Sequence, residues 1–138
     1  MTARVSPYLS FDGNAREAMG FYQSVFGGSL QITTFGDLHG PTDAATDSLV
    51  AHVVLRGASG IVLMGSDRTP GDHGAGGTQS ITLGGDDETE LTGYWKRLCA
   101  DGAVTVPFAR SPWGARYGRC TDRFGTDWLV NVASPSTP

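Results

Sequence analysis

Residues 17–22, EAMGFY, return in outline at residues 90–95 as ELTGYW: a glutamate, two residues, a glycine, then two aromatics. A chain of 138 residues is long enough for one sizeable core and short for two independent ones. The repeat therefore predicts two half-domains that share a core, neither of which can bury its helix alone.

The surroundings of the two copies agree with each other. Asn14 precedes Glu17 by three residues and Asp87 precedes Glu90 by three, the spacing of a capping box, so both copies are expected to open a helix. Ala15, Ala18, Met19, Tyr22, Val25 and Phe26 form an apolar stripe at three-and-four spacing; Leu91, Trp95, Leu98 and Cys99 do so in the second copy. Glycines at 27 and 28, and Asp101 with Gly102, mark the helix ends.

Short β-branched or aromatic runs flank each helix. SPYLSF precedes and SLQITTF follows the first; QSITLG precedes and AVTVPF follows the second. Each half then continues with two more such runs, LVAHVVLRG with GIVLMGS and ARYGRCT with TDWLVNV, joined at Gly60 or Gly125 as hairpins. The expected fold is α+β, a single domain over 1–138 built of paired βαβββ modules in a cupped mixed sheet. Module 1 covers about 5–66, a polar linker 67–78, and module 2 about 79–132. GDLHGPTDAATDS, residues 36–48, has the composition of a surface loop, and the tail ASPSTP that of a disordered end. Gly71, Gly74, Gly76 and Gly77 precede a strand rather than a helix, so they do not make a phosphate-binding loop.

A formal charge of −4 with one lysine argues against nucleic acid or an anionic membrane as partner. No apolar run approaches a membrane span, and MTARVSPYLSF lacks the apolar region of a signal peptide, so the expected location is cytoplasmic. Cys99 and Cys120 lack CxxC spacing and read as reduced core thiols.

The paired βαβββ pattern, with FDGNAREAMGFYQSVFGG near the start and WGARYGRCTDRFGTDWLVN near the end, resembles the vicinal oxygen chelate superfamily. That superfamily includes glyoxalase I, bleomycin-resistance proteins and extradiol dioxygenases. Within it the chain is most similar to the PhnB-like branch, labelled 3-demethylubiquinone methyltransferase-like. The resemblance spans roughly residues 5–132 and implies a cup into which metal ligands project in many members. Carried to this chain, those positions fall on Pro7, Met64, Ser80 and Leu129. None is a His, Asp or Glu, so no metal and no other cofactor is expected. No glycine-rich strand-to-helix loop followed by an acidic residue marks an S-adenosylmethionine site either.

Alternation along the strands sets Ala51, Val53 and Leu55 toward a helix and His52, Val54 and Arg56 on the other face. The same rule gives a ligand-binding lining of His52, Met64, Ser80, Tyr117, Arg119, Leu129 and Asn131, with Thr82 and Ser66 beside them and Trp113 as an aromatic cover. Arg119 is open to two roles, clamping an anionic ligand or pairing with Asp122, Asp127 or another carboxylate. His52 is open to acid–base work with Tyr117 and to a structural hydrogen bond. Asp122–Gly125 reads as a hairpin turn.

The expected function is binding of a small organic ligand, in a homodimer, with catalysis undecided. One rival is a divalent-metal lyase, transferase or dioxygenase drawing on His52 with Asp67 or Glu88. Another is a non-catalytic interaction module whose cup is unused.

Overall fold

The computed structural model describes residues 6–40, 42–69, 80–110 and 116–133. Trp113, His73, the linker glycines and residues 134–138 of the tail lie outside them. The chain divides into two compact units, residues 1–76 and 77–138.

The first unit begins with β1 (Tyr8–Phe11), α1 (Ala15–Phe26) and β2 (Ser29–Thr34) and ends with β3 (Val50–Arg56) and β4 (Val62–Asp67). Its sheet has the order β1-β4-β3-β2, with β1 parallel to β4 and the other neighbours antiparallel. The second unit repeats this with β5 (Ser80–Gly85), α4 (Glu88–Cys99), β6 (Ala103–Arg110), β7 (Arg116–Thr121) and β8 (Asp127–Val132), in the order β5-β8-β7-β6. The repeat in the sequence is thus a repeat of topology.

Each helix covers one face of its own sheet. α1 buries Ala15, Ala18, Met19, Tyr22, Val25 and Phe26 against strands whose inward residues include Val53, Leu55 and Leu63. Burying side chains of this size is worth about 1.5–3 kcal/mol each before chain entropy is charged. In the second unit Trp128, Val130, Cys120 and Leu98 are fully buried. The α4 stripe differs from the expected one: Tyr94 is buried, while Trp95 lies on the flank and stacks on Phe108, ring centroids 5.2 Å apart. Pro107 and Phe108 sit where the β6–β7 register slips, opposite Gly118, which lets Phe108 turn to the helix side.

The two helix ends return close to their sheets at glycines. A Cβ on Gly28, whose φ is 92°, would stand 1.9 Å from the Arg56 carbonyl oxygen, and one on Gly102 would stand 2.4 Å from that of Thr121. Only a residue without a side chain fits either crossing.

Three local expectations are corrected. Asn14 makes no side-chain cap on α1; Asp67, at the end of β4, does so, its Oδ1 accepting from the Ala15 N–H at 2.8 Å. The asparagine backbone, φ −115° and ψ 23°, lacks the extended conformation of a side-chain cap. Asp87 does cap α4, accepting from the Glu90 N–H.

The 36–48 segment is not plain loop, since it contains α2 (Phe35–His39) and α3 (Ala44–Asp47). Neither buries a residue. They are held by polar caps: Thr34 and Asp37 form a reciprocal capping box, Asp43 accepts from the Ala45 N–H, and Asp47 accepts from Thr42. These bonds hold the Asp37 and Asp47 carboxyls below the usual carboxylate range, the Thr34 and Thr42 backbone N–H groups being the main cause. Because Phe35 starts α2, β2 ends one residue earlier than the run SLQITTF predicts.

Candidate functional site

Strand register decides which side chains share the face that the helix leaves uncovered. In the first sheet Tyr8 pairs with Met64 and Met64 with Val54; Ser10 pairs with Ser66, and Thr33 with His52. Alternation therefore places Tyr8, Ser10, His52, Val54, Met64 and Ser66 on one face, opposite α1. His52 and Met64 are half-buried there.

His52 is the group with most capacity to spare. It has no hydrogen bond among the described residues. Its contact is with Tyr8, ring centroids 5.9 Å apart and planes inclined by 24°. Tyr8 is 52% exposed. Sequence reasoning left Tyr8 out of the lining, although the alternation that selects Met64 selects Tyr8 one strand away.

In the second sheet Ser80 pairs with Asp127 and Asp127 with Thr121; Thr82 and Arg119 flank Leu129, and Gly84 and Tyr117 flank Asn131. Ser80, Tyr117, Arg119, Leu129 and Asn131 thus share the face opposite α4. Arg119 is already engaged. Its Nη2 donates to Asp127 Oδ2 at 2.6 Å and to Ser80 Oγ at 2.9 Å, and its Nε donates to Asp127 Oδ2 at 3.1 Å. The Ser80 hydroxyl in turn donates to Asp127 Oδ2. The arginine's hydrogen bond is the main reason the Asp127 carboxyl lies below its ordinary range, and the same contact holds the guanidinium more firmly charged. Of the two roles open to Arg119, the geometry displays the ion pair.

The carboxylates proposed for a metal rival have partners of their own. Asp67 is 5% exposed and lies on the helix side of its sheet, its Oδ1 accepting from Ala15 and its Oδ2 from Val50 at 2.9 Å. It faces away from His52, which corrects their pairing as ligands. Glu88 forms an ion pair with Arg116 at 3.8 Å. Among the described residues no three His, Cys, Asp or Glu side chains group as a metal site. At the inherited positions, Pro7 has a carbonyl already accepting from the Met64 N–H, Leu129 has no donor atom, and Ser80 is bound to Asp127. Such a set does not fit a hard divalent ion.

The remaining candidates have structural surroundings. Asp122 is 4% exposed and ties the β7–β8 turn, accepting from the Phe124 and Thr126 N–H groups and from Trp128 Nε1 at 2.7 Å. Burial is the main cause that pushes the Cys120 thiol up to about 12 and raises that of Cys99; both are free thiols. No helix among the described residues is long and apolar enough to cross a membrane.

Comparison with known proteins sets these residues in a lineage. A family model described as 3-demethylubiquinone-9 3-methyltransferase matches residues 3–131. The chain is similar to Protein YjdN of Escherichia coli (strain K12), 29% identical, with 93% of this chain and 94% of that one covered. It is also similar to the crystal structure of protein PA1353 from Pseudomonas aeruginosa, with 36% identity, a TM-score of 0.82, and 95% of this chain and 98% of that one covered. A structure titled as a putative 3-demethylubiquinone-9 3-methyltransferase, PhnB protein, from Bacillus cereus matches at 26% identity and a TM-score of 0.70, covering 95% and 100% of the two chains. A glyoxylase/bleomycin resistance protein/dioxygenase domain from Frankia sp. EAN1pec and the fosfomycin resistance protein FosX from Listeria monocytogenes, each 12% identical, share the fold, with TM-scores of 0.67 and 0.59.

The methyltransferase description implies a methyl donor such as S-adenosylmethionine, and the described residues do not fit one. The β1–α1 turn is Asp12-Gly13-Asn14 and the β5–α4 turn is Asp86-Asp87. Neither is the glycine-rich strand-to-helix turn that exposes backbone N–H groups to a nucleotide-type cofactor.

Proposed function

The chain belongs to the 3-demethylubiquinone-9 3-methyltransferase family on the glyoxalase/bleomycin-resistance fold, and from the groups on its uncovered sheet faces we propose that it binds a small organic molecule without a divalent metal. The observation that carries this reading is His52, half-buried on the face opposite α1 and without a hydrogen bond among the described residues. A partly buried imidazole with no hydrogen bond among the described residues gains from a ligand that supplies one. Met64 and Val54 beside it supply apolar wall, so the face has the mixed character of a ligand site.

The donor sets at the superfamily's metal positions support the metal-free part. A homodimer belongs to the same proposal, since each sheet has outer strands whose backbone groups a second copy can cover. A cytoplasmic setting does too, in keeping with two free thiols.

The test joins metal analysis to ligand screening. Untagged protein is expected to carry no stoichiometric metal by mass spectrometry and to keep its melting temperature when Mn²⁺, Ni²⁺, Zn²⁺ or Fe²⁺ is added. A thermal-shift screen of small organic acids is expected to find compounds that stabilise the wild type and lose their effect in His52→Ala. Stoichiometric metal overturns the metal-free reading; stabilisation unchanged in His52→Ala overturns the site. Sedimentation showing only monomer at micromolar concentration rejects the dimer.

A further inference from the structure

Tyr8 and His52 come from strands that are not neighbours, because β4 runs between β1 and β3. Their rings nevertheless stack across β4 at 5.9 Å. Met64 shares their face, in register with Tyr8 on one side and Val54 on the other. The result is a tile of two aromatic rings and a thioether on the uncovered face. Tyr8 spends one contact on His52 and remains 52% exposed. Neither the phenol hydroxyl nor the imidazole has a hydrogen bond among the described residues.

Resting on the reading above, the geometry points to a specific ligand chemistry: a planar aromatic ring carrying an oxygen acceptor, stacked on Tyr8 as the third member of the Tyr8–His52 stack. A flat ring extends an existing stack in the offset arrangement that aromatic quadrupoles favour. The neighbouring thioether of Met64 also favours aromatic over saturated carbon. An acceptor at the edge of that ring answers the phenol O–H of Tyr8, which has no hydrogen bond among the described residues. A saturated ring of equal size and charge keeps the acceptor and loses the stacking. The aromatic compound should therefore bind roughly two- to ten-fold more tightly.

The probes are naphthalene-2-carboxylate and its saturated counterpart decahydronaphthalene-2-carboxylate, titrated into isotope-labelled full-length protein while the Tyr8 and His52 ring signals are followed by NMR. The expected result is saturable shifts at both rings, tighter binding of the naphthalene compound, and loss of that preference in Tyr8→Leu with circular dichroism unchanged. Equal affinity for the two carboxylates, or saturable shifts that leave both rings unmoved, overturns the aromatic seat and leaves small-molecule binding standing. If neither compound shifts any signal, the seat is overturned, and the thermal-shift screen with His52→Ala decides the broader reading independently.

Discussion

Asp67 closes the first turn of the helix that begins at Ala15, across 52 residues of sequence. Its second oxygen holds the start of β3 at Val50, so one carboxylate pins helix and sheet together. Removing it leaves two buried N–H groups without acceptors. Asp67→Ala is expected to destabilise the protein by roughly 2–5 kcal/mol. Asp67→Asn keeps one acceptor and should cost less. Urea unfolding at neutral pH checks both, and a loss within experimental error for the alanine variant would refute the pinning role.

Gly118 faces a crowded neighbourhood. A Cβ there would stand 2.8 Å from Phe108 Cα and 2.9 Å from Trp95 Cη2. Gly118→Ala must displace Phe108 or break its stack on Trp95, and overpacking of this kind costs about 1–3 kcal/mol. The expected outcome is a lower urea midpoint together with altered near-ultraviolet circular dichroism, the second because Trp95 changes surroundings. An unchanged aromatic spectrum would contradict the proposed packing.

The Arg119–Asp127 pair predicts a pH signature. Because the folded-state carboxyl of Asp127 lies below its ordinary value, its contribution is present above the ordinary carboxylate range and is lost as pH falls through the folded value. The side chains are 42% and 24% exposed, so solvent screening keeps the effect small. Arg119→Ala should be slightly less stable than wild type at neutral pH and indistinguishable from it once Asp127 is protonated. A difference that persists unchanged in acid would assign the loss to packing.

Cys120 is fully buried and its thiol is pushed up to about 12. Since the thiolate is the reacting form, the native protein is expected to resist alkylation at this residue near neutral pH and to react on unfolding. Mass spectrometry after iodoacetamide treatment, with and without denaturant, reads this directly. Rapid modification of Cys120 in the native state would contradict its burial.

The repeat made most of the fold legible, because capping residues and strand alternation are local signals that each half states twice. The α1 cap was hidden for the opposite reason: Asn14 is adjacent in sequence, while Asp67 becomes adjacent only through the parallel pairing of β1 and β4. α2 and α3 escaped because they have no apolar stripe, although Thr34 and Asp37 carry a readable capping signal. At the site, alternation placed His52 and Met64 on the uncovered face and brought Ser80 and Arg119 to one face. It could not tell whether Arg119 would keep its charge for a ligand or give it to Asp127, since that depends on a contact across two strands.

Pro107 adds a consequence for assembly. A regular outer strand is a template on which further strands can polymerise, and β6 is the outer strand that ends the second sheet. Pro107 offers no N–H there, and the strand slips register on both sides of residue 106. Sheet 2 therefore carries its own chain terminator at that margin, and any copy that docks strand to strand has to do so elsewhere.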